Sequence, residues 1–325
     1  VGSEMCIRDS DYIACNDGGT GGTVILKHLN STKLETTSTG IDVTGAIVTD
    51  AGGTIGAGGT TTTLAGMAIA SENNSIFISD SDIMDTTDTA AFDTVVGWTA
   101  GNNLTTGDGN VLIGYAAGTA ITTGGDNTFV GTDSGDGFDT EGNNTGIGKA
   151  ALGGPIAGGE FNVAVGNYSL DSLTSGDLNT AVGYEAMEAN TTGVRNLAIG
   201  YGAYRQSDTE NDNIGIGYQA MHTDTAGGTG NLALGNYVLD ALTSGDYNVG
   251  IGLNAMTAMT TGGSNVAIGR NALSTATTQT DNVGVGMHAL AASAVSHTTA
   301  IGSCLLYTSD AADDSLRVDL GGRRI

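Results

Sequence analysis

The sequence predicts an all-β chain, a parallel β-solenoid or β-roll of about 13 coils, each 17 or 18 positions long. Three observations predict it. A pentapeptide of the form Asn-x-x-(Val/Ile/Leu)-Gly recurs at nearly constant spacing. Glycine is 54 of 325 residues, without a Gly-X-Y period and with a single proline. No apolar stripe of helical period runs through the repeats. A unit this short cannot hold a helix pair, which needs roughly 33 residues or more.

The pentapeptides begin at Asn110, Asn127, Asn144, Asn162, Asn179, Asn196, Asn213, Asn231, Asn248, Asn265 and Asn282. DTVVG at Asp93 precedes them and TTAIG at Thr298 follows. From Asp93 the spacings are 17, 17, 17, 18, 17, 17, 17, 18, 17, 17, 17 and 16. Position five is always glycine: Gly97, Gly114, Gly131, Gly148, Gly166, Gly183, Gly200, Gly217, Gly235, Gly252, Gly269, Gly286 and Gly302. GNYSLDSLTSGD at Gly166 returns four units later, at Gly235, as GNYVLDALTSGD, which points to duplication of a four-unit block.

Positions two and four are mostly apolar and alternate with position three, the period of a short strand. Leu or Met at position nine lies on a second short segment. Thr-Thr-Gly or Thr-Ser-Gly then turns the chain, since glycine tolerates a positive φ. In a stack, each strand pairs with its equivalent one coil away at roughly 4.8 Å, so 13 coils give a rod of about 60 Å. Asparagines in register would form a ladder, with each amide bonded to the next. Position three is Ala or Gly from Gly146 onward, after Val95, Leu112 and Phe129. Two readings stand. Small residues on an outer strand face admit another backbone, making a subunit interface around a threefold axis, or they simply fit a tight coil.

Four regions are expected: 1–10 and 304–325 as flanks foreign to the protein, 11–92 as irregular β structure, and 93–303 as the solenoid. Both flanks resemble translated adapter sequence. With them set aside, Cys15 is the one remaining cysteine, too few for a disulfide or a metal cluster. Because the last repeat stops at Gly302, a C-terminal portion is expected to be missing. Between residues 11 and 92, TVILKHL at Thr23 and SIFISDS at Ser75 are strand candidates. Residues 51–66 read as a glycine–threonine connector.

Composition bounds function. Ten Lys and Arg against 35 Asp and Glu give a formal charge of −25, which argues against nucleic acid as partner. No apolar run is long enough to predict membrane insertion. The GxG strings are repeat glycines outside any strand–GxGxxG–helix unit. His28, His222, His288 and His297 form no catalytic or metal-ligand spacing. Asp80, Asp82, Asp85 and Asp88 lack the central glycine and terminal glutamate of a calcium loop. No catalytic, cofactor-binding or metal-ligating residue is assigned, and the chain is not expected to be an enzyme. Divalent cations or salt are expected to offset self-repulsion. Tyr184, Tyr201 and Tyr218 follow repeat glycines, as do Tyr115 and Trp98. They are candidate contacts to a receptor or glycan, the plainer reading being cover for a coil corner.

The NxAIGxxA units are similar to head repeats of trimeric autotransporter adhesins, and the longer form found in this chain resembles repeats of phage tail fibres. STKLETTSTGIDVTGAIVTD, from Ser31 to Asp50, resembles a segment of phage tail-fibre and related virion proteins. The repeat resemblance spans about two-thirds of the chain. It implies a left-handed, homotrimeric roll. The expected role is a structural and adhesive virion fibre for host attachment, with a host cell-surface receptor or glycan as partner and the virion as location. The alternative is a trimeric adhesin head on the bacterial cell surface. An ice-binding solenoid would need an aligned threonine face, and a fibre-borne depolymerase would need paired carboxylates in a groove.

Overall fold

The computed structural model describes residues 90–154, 158–206, 208–223 and 228–306 together with eight backbone strands upstream. The chain divides into two compact units, residues 1–58 and 59–325. In the first, strands Met5–Cys6, Tyr12–Asn16, Thr23–His28, Ser31–Thr37 and Gly40–Val43 form an antiparallel sheet in sequence order. The strand expected at Thr23 is therefore present. In the second, the strand expected at Ser75 is also present, as Ser75–Ser79. Asp80, Asp82, Asp85, Asp88 and most of the glycine–threonine connector lie outside the described residues.

The second unit contains the solenoid. Thirteen short strands, from Thr94–Val96 to Thr299–Ile301, pair in parallel, each of the inner eleven with its equivalents in the coils before and after. They make about 12 turns. The first of them also pairs in parallel with Ser75–Ser79, so the sheet runs across the change of sequence texture near residue 90. Register survives the two longer spacings: Thr145 lies beside Val163, and Ile214 beside Leu232. In these two units the carbonyl that the asparagine amide uses lies 15 residues on, at Gly159 and Gly228, where other units have it at 14.

Each strand has its middle residue buried and its first and third facing outward. This overturns the interface reading of position three. Ala164, Ala181, Ala198 and their equivalents point into the core and are fully buried. The reason is volume. In the first three coils, position three is Val95, Leu112 or Phe129, and position nine of the same coil is Gly101, Gly118 or Gly135. From the fourth coil the sizes exchange. Gly146 or alanine at position three then faces Leu152, Leu170, Met187 or Tyr204 at position nine. A Cβ on Gly135 would lie 2.3 Å from the Phe129 ring, and one on Gly118 2.7 Å from Leu112. One large side chain per coil fills this level of the core, and it enters from either wall. Alanine at position eight completes the packing. So does a further inward position, twelve, held by Leu104, Ile121, Phe138, Leu173, Leu242 and Met259.

The backbone explains the glycine at position five. At Gly183 φ is +138°, and an added Cβ would sit 2.3 Å from the Gly200 carbonyl oxygen. All 13 repeat glycines share this conformation, with φ from +119° to +150°. No side chain fits where one corner rests on the next. Elsewhere the coil forces L-residues into the left-handed region. Position nine (Leu152, Met187, Met256) and the residue before each asparagine (Leu178, Arg195, Tyr247) have φ between +51° and +60°. Each such residue costs roughly 1–2 kcal/mol, and packing and inter-coil hydrogen bonds hold it in place.

Candidate functional site

Three columns run along the solenoid, and each puts like residues above like. The first is the asparagine column. All 11 side chains are buried. Each Oδ1 accepts the backbone N–H of the position-one residue one coil later, as in Asn179 to Asn162 at 2.9 Å and Asn196 to Asn179 at 2.9 Å. At the ends, the Asn110 N–H donates to Asp93 at 2.7 Å and the Thr298 N–H to Asn282 at 2.9 Å. From Asn110 to Asn265, Nδ2 donates to a carbonyl of the turn that precedes the next asparagine, such as Gly193 at 2.7 Å from Asn179. The ladder expected from the sequence exists, but its constant rung is backbone N–H to side-chain oxygen. Direct amide–amide bonds occur in some coils, such as Asn248 to Asn231 at 3.1 Å.

The second column is the outward face of the sheet. Position four is Val, Ile or Leu in every unit. Position two is Val, Ile or Leu in eight units and Thr in the other five. None is charged. Ile113, Ile147, Ile199, Ile214, Leu234, Ile268 and Ile301 are exposed. A parallel sheet with one bare apolar face is unusual, because such sheets are ordinarily covered on both sides. The sequence reading weighed position three alone, as an interface or as a tight-coil fit, and did not consider this face. The uncharged rows at two and four were the signal available.

The third column is aromatic and follows the glycine bend. Tyr184, Tyr201 and Tyr218 stack with ring centroids 5.3 Å apart and planes within 14°. Tyr168 and Tyr237, one position later in their coils, close the two ends edge-on at 6.0 Å and 5.3 Å. The Lys149 ammonium sits 5.3 Å over the Tyr168 ring. The three central rings are 41–47% exposed. Their faces lie against one another, so what reaches solvent is ring edges and hydroxyls. A sugar stacking flat on a tyrosine face has no free face to use here. Tyr115 and Trp98 also follow repeat glycines and are exposed, outside this stack.

Beside these columns, position ten gathers charge: Asp136, Asp171, Glu188, Arg205, His222 and Asp240, with Gly153 as a gap. Arg205 Nε contacts Glu188 at 2.5 Å and Glu185 at 3.0 Å. Burial, then the nearby Asp133 charge, pushes the Asp136 carboxyl up to about 6. Its Oδ1 is buried without a partner among the described residues. Burial also raises Asp171, with Glu188 adding to it, and burial raises Asp240 against the lowering effect of His222. The described histidines stand apart. His297 is 3.4 Å from Asp281, and His288 Nε2 is 3.5 Å from Asn271. Among the described residues no group of three His, Cys, Asp or Glu could hold a metal. No helix there is long and apolar enough to cross a membrane.

Compared with protein-family models, curated proteins and solved structures, the chain matches none.

Proposed function

We propose that this chain is the shaft of a structural and adhesive virion fibre, self-associated as a homotrimer, that carries host attachment away from the particle. The observation that supports this most strongly is the sheet face. Its two uncharged rows run the length of the solenoid, about 60 Å at 4.8 Å per coil. Contiguous apolar surface of that extent marks an interaction site. A face built of like residues in register suits further copies of the same face arranged about an axis parallel to the shaft. The uniform coils supply stiffness and reach, which spacing a recognition tip requires. The tyrosine column would contact a host receptor or glycan through hydroxyls and ring edges, with many weak contacts acting together. The similarity to adhesin head repeats supports the second reading, a trimeric adhesin on a bacterial surface. Baseplate genes beside this one would decide for the virion, and a membrane anchor encoded downstream would decide for the cell surface.

Sedimentation equilibrium tests the assembly. The expected mass is three times 32.3 kDa. Replacing Ile199, Ile216 and Leu234 with glutamate is expected to return the chain to monomer while far-ultraviolet circular dichroism stays unchanged. A wild-type chain that stays monomeric at micromolar concentration would overturn the trimer.

A further inference from the structure

We propose that the tyrosine column is a site of oxidative cross-linking, in which neighbouring phenols couple to form dityrosine staples between successive coils. Dityrosine formation needs two phenol rings close together, reachable by an oxidant, and held long enough for two radicals to meet. The column meets all three conditions. Tyr201 has a near-parallel ring on each side at 5.3 Å. All three rings are partly exposed. Their backbones are fixed by the parallel ladder, with Val182 beside Ile199 and Ile199 beside Ile216. The neighbouring Glu185 carboxylate raises the Tyr184 phenol above its ordinary value.

The chemistry balances with a one-electron oxidant, such as peroxide-charged haem or a photo-excited metal complex. Each of two phenols gives one electron to the oxidant. Each also gives up its hydroxyl proton, to water. The two phenoxyl radicals pair their unpaired electrons in one carbon–carbon bond between ring positions ortho to the oxygens. The two ring hydrogens displaced there move to the oxygens and restore both phenols. Each link therefore removes two electrons and two protons. It closes a loop of one coil, from Tyr184 to Tyr201. Closing a loop restricts the unfolded chain and so favours the folded one.

The sequence supplies its own mapping. Arg195 and Arg205 bracket Tyr201, so trypsin releases it in peptide 196–205, apart from Tyr184 in 150–195 and Tyr218 in 206–270. Tyr204 shares the peptide with Tyr201 but is fully buried, and its hydroxyl accepts the Asn213 amide at 2.6 Å. It is an internal control. The experiment exposes the 325-residue chain to tris(bipyridyl)ruthenium, persulfate and light. The chain is then unfolded, digested and read by mass spectrometry and dityrosine fluorescence. The expected result is peptide 196–205 joined through Tyr201 to 150–195 or 206–270, with the loss of two hydrogens. The chain stays at monomer mass on a denaturing gel, and its melting midpoint rises. Tyr201→Phe keeps the ring and the stack but has no phenol, and it is expected to abolish every link to 196–205. Tyr184→Phe with Tyr218→Phe should do the same by removing both partners. Absence of dityrosine would overturn the proposal. So would links only between chains, or links to 196–205 that persist in Tyr201→Phe.

Discussion

The exchange of sizes between positions three and nine can be tested by moving its boundary by one coil. Gly146 is the first small residue at position three, and Leu152 the first large one at position nine. Gly146→Leu alone adds a side chain whose Cβ lies 2.8 Å from Ser134 Oγ, 2.9 Å from the Ala151 carbonyl and 3.0 Å from the Phe129 ring. Overpacking of this kind costs about 3 kcal/mol. Leu152→Gly alone deletes a fully buried side chain, costing about 2–5 kcal/mol. Relief of its φ of +56° returns about 1 kcal/mol. The double variant recreates the pairing already present at Leu112 and Gly118. The new leucine then occupies the space the old one left, and the total loss should be about 2 kcal/mol. The coupling between the two sites is therefore about 2–5 kcal/mol. Urea unfolding of the wild type and three variants, followed by circular dichroism, measures it. Losses that add to within about 0.5 kcal/mol would refute the shared-volume explanation.

Three further outcomes follow from the same geometry. Asn179→Ala leaves the Asn196 N–H and the Gly193 carbonyl without their partners, a loss of about 2–5 kcal/mol. Hydrogen exchange should speed up at Asn196 before it does in distant coils, and uniform exchange would argue against the ladder. The Asn190 side chain is fully buried at position twelve with no hydrogen-bond partner among the described residues, where other coils carry Leu173 and Leu242. Asn190→Leu should therefore stabilise the chain by about 1–3 kcal/mol, and a lower unfolding midpoint would contradict this. Asp136 is raised to about 6 from an ordinary 3.8. Between these values the folded chain binds more protons than the unfolded one, so its contribution to stability falls as pH rises through that window. Solvent screening of a partly exposed group limits the effect to about 1 kcal/mol. Asp136→Asn should flatten that part of the pH dependence between pH 4 and 7, and an unchanged slope would assign it to other groups.

Much of the fold was legible because the repeat carries it. Constant spacing of Asn110 through Asn282 sets the stack, and an invariant glycine at position five marks the bend that admits no Cβ. The inward direction of Ala164 and Ala181 was not legible. A strand this short offers only one alternation, and both of its faces are apolar, so periodicity cannot say which one closes on the core. The deciding signal was the anticorrelation between Phe129 with Gly135 on one side and Gly146 with Leu152 on the other. That link spans two segments and is read only once they face each other. The left-handed conformation of Leu152 and Met187 had no signal either, because leucine and methionine rarely adopt it alone. The tyrosine column was visible as a spacing. That its rings stack on each other, closing their faces, depends on the inter-coil rise and side-chain direction.

The stack itself can be measured by electron–electron dipolar spectroscopy on exposed positions of one column, with native cysteines replaced by serine. Asp126, Asp212 and Asp281 each immediately precede an asparagine of the ladder. Five coils separate the first pair and four the second. Spin labels at 126 and 212 should lie about 24 Å apart, those at 212 and 281 about 19 Å, and those at 126 and 281 about 43 Å, increasing linearly at 4.8 Å per coil. Distances that do not grow in proportion to the number of intervening coils would contradict an in-register solenoid.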